Sequence, residues 1–196
     1  MERSIFALRH ARSLHNEWFI TRLYTPKLWS THDSGIIDAP LSTIGEIQAK
    51  ELSPELKSHN FDLIICSPLT RALQTLHLSL PSHTQKTIIT PLIKERTDRL
   101  SDTGKPLSTL KSLHPNYEFL HFDDKIWPSQ ENFKHESKEE FLLRIIRFKL
   151  FLSQIQANKI LLVTHGNFIK TLSGSHLMVA NCTLVKLDKS KLIFNS

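Results

Sequence analysis

Three short apolar runs stand out along the chain: "SIFAL" at 4–8, "DLIIC" at 62–66 and "ILLVT" at 160–164. None alternates with polar residues. Continuous runs of this length mark strands covered on both faces. "KTIIT" (86–90) and "CTLVKL" (182–187) are further strand candidates. Between the strands the period becomes that of a helix. "SPLTRALQTLHLSL" predicts a helix with Ser67 as N-cap, Pro68 at the first position, and Leu69, Ala72, Leu73 and Leu76 on one face. "STIGEIQAKELSPELKS" carries Thr43 and Glu46 as a capping box, with Ile44, Ile47 and Leu52 along its apolar face. "SKEEFLLRIIRFKLFLSQIQ" opens on Ser137 and Glu140 as a second box and places Phe141, Ile145, Phe148, Leu152 and Ile155 in one stripe. "THGNFIKTLSG" ends on Gly174, a C-cap residue.

Strand alternates with helix, which predicts a three-layer α/β/α fold around a mostly parallel sheet. A length of 196 residues suits one domain, 1–196. Two segments resist assignment: 17–37, with Trp18, Phe19, Tyr24 and Trp29, and 114–136, with Trp127. Stretches of this kind are either binding loops or surface insertions that pack their own aromatics.

Composition narrows the classes. Apolar residues make up 40% and charged residues 22%, which excludes a disordered chain. The formal charge of +6 favours an anionic partner without choosing among phosphate ester, nucleic acid and membrane surface. No long basic run supports a nucleic-acid arm, so no nucleic acid is expected. The start has too short an apolar run for a signal peptide, and no run approaches a membrane span, so a cytoplasmic protein is expected. Cys66 and Cys182 both lie in apolar, strand-like surroundings and read as buried thiols.

The chemistry gathers at the strand ends. The first strand runs into Arg9-His10, then Arg12, His15 and Asn16, with hardly a carboxylate to balance them. The second runs into "SPLTR", with Arg71 at a helix start, and the third into His165-Gly166 at another. In an open α/β sheet, ligands bind outside the carboxyl ends of the strands. Two arginines and two histidines therefore converge on one end, as walls of an anion pocket. Phosphoryl uses such a pocket best: arginine forks match its oxygens in pairs, helix N-termini add N–H donors, and a neutral imidazole can attack phosphorus.

Five segments carry a resemblance. "LRHARSLHN", "DAPLSTIGEIQAKEL", "SPLTRALQT", "PLIKERTDRLSDTG" and "VTHG" are similar, in that order, to the motifs of the histidine phosphatase superfamily, also called phosphoglycerate mutase-like. The resemblance implies a phosphoglycerate mutase-like fold and phosphomonoester hydrolysis through a phosphohistidine. It implies that His10 is the nucleophile and that Arg9, Arg71 and His165 hold the phosphoryl oxygens, with a hydrogen bond from Asn16. Glu95 would protonate the leaving oxygen and then activate water. Ser13, Arg12 and Gly166 are further candidate substrate contacts. No metal and no cofactor are implied, and the partner would be a phosphorylated small molecule or other phosphoester. Ala11 stands where many relatives have Gly, and the segment between Asn16 and Asp38 is longer than in compact members.

Alternatives remain at this level. Asp98 and Asp102 compete with Glu95 for the acid role. Arg71 could be a helix-surface residue. His10, His15 and His165 could suggest zinc, although no carboxylate or thiolate completes a ligand spacing and the arginines would repel a cation. A mutase would return the phosphoryl to a sugar acid, and a binding module would only dock a phosphorylated partner. Oligomeric state is unreadable.

Overall fold

The computed structural model describes residues 3–25, 34–123, 127 and 133–192. The first apolar run forms β1 (Ser4–Arg9). Next come α1 (Leu14–Tyr24), α2 (Thr43–Glu51) and α3 (Ser53–Ser58). β2 (Leu63–Cys66), α4 (Thr70–Ser79) and β3 (Lys86–Ile89) follow. The chain continues through α5 (Leu107–Leu113), the short β4 (Glu118–Phe119) and α6 (Lys138–Gln154). It then forms β5 (Lys159–Thr164), α7 (Gly166–Ser173) and β6 (Leu184–Lys186).

The strands form one sheet in the order β4-β3-β2-β5-β1-β6. Only β6 runs antiparallel, against β1. Leu8 of β1 and Cys66 of β2 both lie beside Val163 of β5, so the three strands end level. Alternate side chains along the strands feed two cores. On one face Ile5, Ala7, Ile65, Ile88 and Leu162 meet Phe141, Ile145, Phe148 and Leu152 of α6 and Phe168 and Leu172 of α7. On the other, Leu8, Ile64, Ile89 and Leu161 meet Leu56 of α3, Leu73 and Leu76 of α4, and Leu110 of α5. The predicted three layers are present, and burying both faces explains the unbroken apolar strands. Among the described residues no helix is long and apolar enough to cross a membrane.

Four local expectations change. Ser67 does not cap α4. Its hydroxyl lies 2.7 Å from His165 Nε2, Leu69 is extended (ψ 136°), and the helix begins at Thr70. The cap comes from afar, since Asp38 Oδ1 accepts the Thr70 N–H at 2.8 Å. The N-cap of α2 is Ser42, one residue before the expected box, and the helix ends before Leu52 rather than running on to Ser58. Its Ile44 and Ile47 are exposed, and the buried side is Gly45 and Ala49. Residues 17–24, expected to be irregular, belong to α1, which buries none of its side chains and so shows no apolar stripe. Cys182 is half-buried in a turn ahead of β6, while Cys66 is fully buried. In the segment 114–136, Glu118 and Phe119 add an edge strand and Trp127 packs over Gly104. Trp29 lies outside the described residues.

The small face of α2 has a purpose. A Cβ on Gly45 would overlap the backbone carbonyl of Arg12, in the loop that follows His10. Gly45→Ala must therefore push helix and loop apart. We expect it to lower the urea unfolding free energy by about 1–3 kcal/mol, the usual cost of overpacking. An unchanged denaturation midpoint would show that the two elements separate freely.

Candidate active site

The level ends of β1, β2 and β5 bring His10, Arg71 and His165 together. His10 follows β1 directly, Arg71 is the second residue of α4, and His165 is the N-cap of α7. The two imidazole centroids lie 5.0 Å apart. Glu95 arrives from the end of β3, after a 3-10 turn at Pro91–Ile93. These residues border a cleft of about 310 Å³, lined among others by Arg9, His10, Asn16, Arg71, Glu95 and Gly166. His165 is fully buried behind that wall.

His10 is held in one tautomer. Its Nδ1 lies 2.7 Å from the Ala11 carbonyl oxygen, which can only accept, so Nδ1 carries the proton. Nε2 then keeps its lone pair, and the Arg71 Nε–H points at it from 3.3 Å. Burial, and then the Arg71 charge, hold the His10 pKa well below its ordinary value, against the opposing pull of the Ala11 hydrogen bond. His165 is depressed in the same way, by burial first and then by Arg71 and His10. Its Nε2 meets the Ser67 hydroxyl, and its Nδ1 has no hydrogen-bond partner.

Arg71 is itself buried, which excludes the helix-surface reading. It donates to the Ser101 carbonyl at 2.6 Å and to Asp102 Oδ1 at 2.8 Å. Asp102 Oδ2 accepts the backbone N–H groups of Asp98 and Arg99. Asp102 is thus fully engaged in holding Arg71. Asp98 is exposed and lies 3.8 Å from His135. Glu95 differs from both. Burial and the nearby Asp102 charge raise its pKa, and this outweighs the N–H bonds it accepts from Arg96 and Asn167.

This arrangement can bind an oxyanion and set beside it an unprotonated imidazole nitrogen and a carboxyl whose pKa is raised. The profile of the histidine phosphatase superfamily (branch 1) matches residues 5–188. The chain belongs to the histidine phosphatase superfamily. It is 30% identical over 172 residues to the uncharacterized phosphatase PhoE of Bacillus subtilis, covering 82% of this chain and 78% of that protein. Its fold resembles a putative alpha-ribazole-5'-P phosphatase of Escherichia coli, with a TM-score of 0.63 at 22% identity, covering 95% of this chain and 90% of the other. It also resembles the mycobacterial glucosyl-3-phosphoglycerate phosphatase, with a TM-score of 0.58 at 17% identity, covering 95% and 91%. The fold is phosphoglycerate mutase-like, as expected.

The remaining histidine phosphatase candidates fall in different places. Arg9 borders the cleft, with one donor on the Val179 carbonyl and Nε unpartnered. Gly166 lets it lie close to α7, because a Cβ there would sit 3.2 Å from the guanidinium carbon. Asn16 borders the cleft and gives its carboxamide oxygen to Ser13 and Asn181. Ser13 caps α1, and its hydroxyl donates to Asn16. Arg12 is not on the cleft; it pairs with Glu17 at 3.7 Å. Among the described residues no group of His, Cys, Asp and Glu is arranged to hold a metal ion. Sequence reasoning missed the partnership of Asp102 with Arg71 and the lining by Phe19, Arg96, Arg99, Asn167 and Met178. The motif "SDTG" carried the first signal, because it follows the acid segment and contains a carboxylate.

The depressed histidines set a pH dependence. Below about pH 6.5 an unfolded chain protonates His10 and His165 and the folded one resists it, so their contribution to stability falls as pH drops. We expect the ring NMR signals of His10 and His165 to stay at neutral positions through pH 6, while the urea midpoint declines between pH 7 and 5. Protonation of either ring near pH 6.5 would contradict the burial and charge described.

Proposed function

We propose that this chain hydrolyses phosphate monoesters of small molecules in two steps, through a phosphohistidine at His10. The fixed tautomer of His10, with Nε2 unprotonated beside Arg71, carries the reading. In the first step Nε2 attacks phosphorus. The bond to the leaving oxygen breaks, and the protonated Glu95 gives that oxygen its proton. In the second, the Glu95 carboxylate takes a proton from water, the hydroxide attacks phosphorus, and the P–N bond breaks. Glu95 regains its proton and His10 its lone pair.

Arg9 and Arg71 neutralise the phosphoryl oxygens, which explains how the reaction proceeds on side chains alone. The unpartnered Arg9 Nε and His165 Nδ1 are available to those oxygens, with the Asn16 amide also bordering the cleft. A cleft of about 310 Å³ suits a small leaving group.

His10→Ala should abolish phosphoenzyme and reduce turnover to background with the fold intact. Wild type should release inorganic phosphate without a bisphosphorylated primer and in the presence of chelator. Primer dependence would make it a mutase, and saturable binding without turnover a docking module. Glu95→Gln keeps shape and removes the proton, so hydrolysis of an alkyl phosphate should fall about 10²–10⁴-fold. Phosphorylation of His10 by p-nitrophenyl phosphate, whose leaving group needs little help, should survive far better. Equal slowing of His10 phosphorylation by both esters would remove Glu95 from the acid role.

A further inference from the structure

Glu95 sits on an irregular stretch between a 3-10 turn and the loop to Asp102, where no helix or strand ladder fixes the backbone. A buried ion pair does so instead. Arg144, on the inner face of α6, is 3% exposed. Its Nε and Nη2 each donate to a carboxylate oxygen of Glu136 at 2.7 Å. Nη1 donates to the carbonyls of Leu92 and Lys94 at 2.9 Å, and Nη2 also donates to the Glu95 carbonyl at 3.2 Å. Every N–H of the guanidinium has an acceptor.

Glu136 completes the grip from the other side. Its carboxylate accepts the Thr97 N–H at 3.2 Å, and Lys94 Nζ lies 3.5 Å away. Its own N–H donates to the Thr97 carbonyl at 2.8 Å, and its carbonyl accepts from Arg96 Nε at 3.0 Å. Residues 92–97 are thus held on both sides of the acid. Neither Arg144 nor Glu136 lines the cleft.

Stability alone does not account for the pair, since well-packed apolar residues of similar volume are often as good or better than a buried ion pair. Apolar residues could not satisfy three carbonyls within four residues. We propose that the Arg144–Glu136 pair is a positioning device for Glu95, setting the reach of its carboxyl to the leaving oxygen. This rests on the reading of Glu95 as the acid.

The test compares leaving groups. Glu136→Gln keeps the shape and removes the charge; Arg144→Lys keeps the charge and loses the fork. Each should lower turnover of glycerol phosphate by about 10–100-fold, the scale of a misplacement near 1 Å. Phosphorylation of His10 by p-nitrophenyl phosphate, read as the pre-steady-state burst of p-nitrophenolate, should slow by about threefold or less, because its leaving oxygen needs little protonation and the later hydrolysis step does not enter the burst. In a Glu95→Gln background, adding Glu136→Gln should cost glycerol phosphate turnover almost nothing more. If Arg144→Lys does not fold, Glu136→Gln decides. Equal slowing of His10 phosphorylation by both esters, or losses that multiply with Glu95→Gln, overturn the positioning role while phosphorylation in Glu95→Gln alone remains leaving-group dependent. If Glu95→Gln alone slows His10 phosphorylation by both esters equally, the acid reading falls and the positioning role with it.

Discussion

The site depends on one buried cation. Placing a guanidinium in a protein interior is costly unless it is paired and fully hydrogen-bonded. Arg71 is paired with Asp102, donates to the Ser101 carbonyl and turns its Nε–H to His10, so each of its three nitrogens has a partner. That geometry displaces two pKa values at once. Burial and then the Arg71 charge lower that of His10, while burial and then the Asp102 charge raise that of Glu95. The nucleophile and acid proposed above need pKa values displaced in these opposite directions. Here one ion pair contributes to both, its positive end toward the imidazole and its negative end toward the carboxyl.

The sheet makes that contact possible. Arg71 and His10 are separated by 61 residues, yet level strand ends bring them to 3.3 Å. Neighbouring backbone then fixes the His10 turn. The Ala11 N–H donates to Thr75 on α4, Arg12 N–H to Gln48 on α2, and Cys182 N–H to the carbonyls of Arg9 and His10. Three separate parts of the chain thus hold the four residues from Arg9 to Arg12. This leaves the His10 ring little freedom to turn its Nε2 away.

Legibility in the sequence followed burial. The strands β1, β2 and β5 are covered on both faces, so their apolar runs were unmistakable, and the residues after them marked the site. The α6 stripe was readable for the same reason. What could not be read was whatever depends on partners far away in the chain. The cap of α4 is Asp38, which no local pattern announces. The buried face of α2 is small rather than apolar, because it meets the Arg12 backbone. Helix α1 exposes Leu14, Phe19, Ile20, Leu23 and Tyr24, so its hydrophobicity had no periodic face to follow. Glu95 is favoured by its place in the motif, whereas the commitment of Asp102 to Arg71 is not legible, because it joins residues 31 apart in the chain.

Ala11 shows why a departure from a motif need not disturb the site. A glycine at such a turn is often required by a left-handed backbone. Ala11 is not among the residues with positive φ. Its side chain is fully buried against Leu41 and Ala49, so a methyl group fits and contributes to a small cluster. The left-handed conformations lie instead at Asp38 (φ 45°) and Cys182 (φ 57°). Aspartate tolerates that region comparatively well. At Cys182 the conformation lets one N–H reach the carbonyls of both Arg9 and His10. The backbone strain needed to shape this site is therefore carried by the chain that packs against the His10 loop, and Ala11 within that loop is free of positive φ.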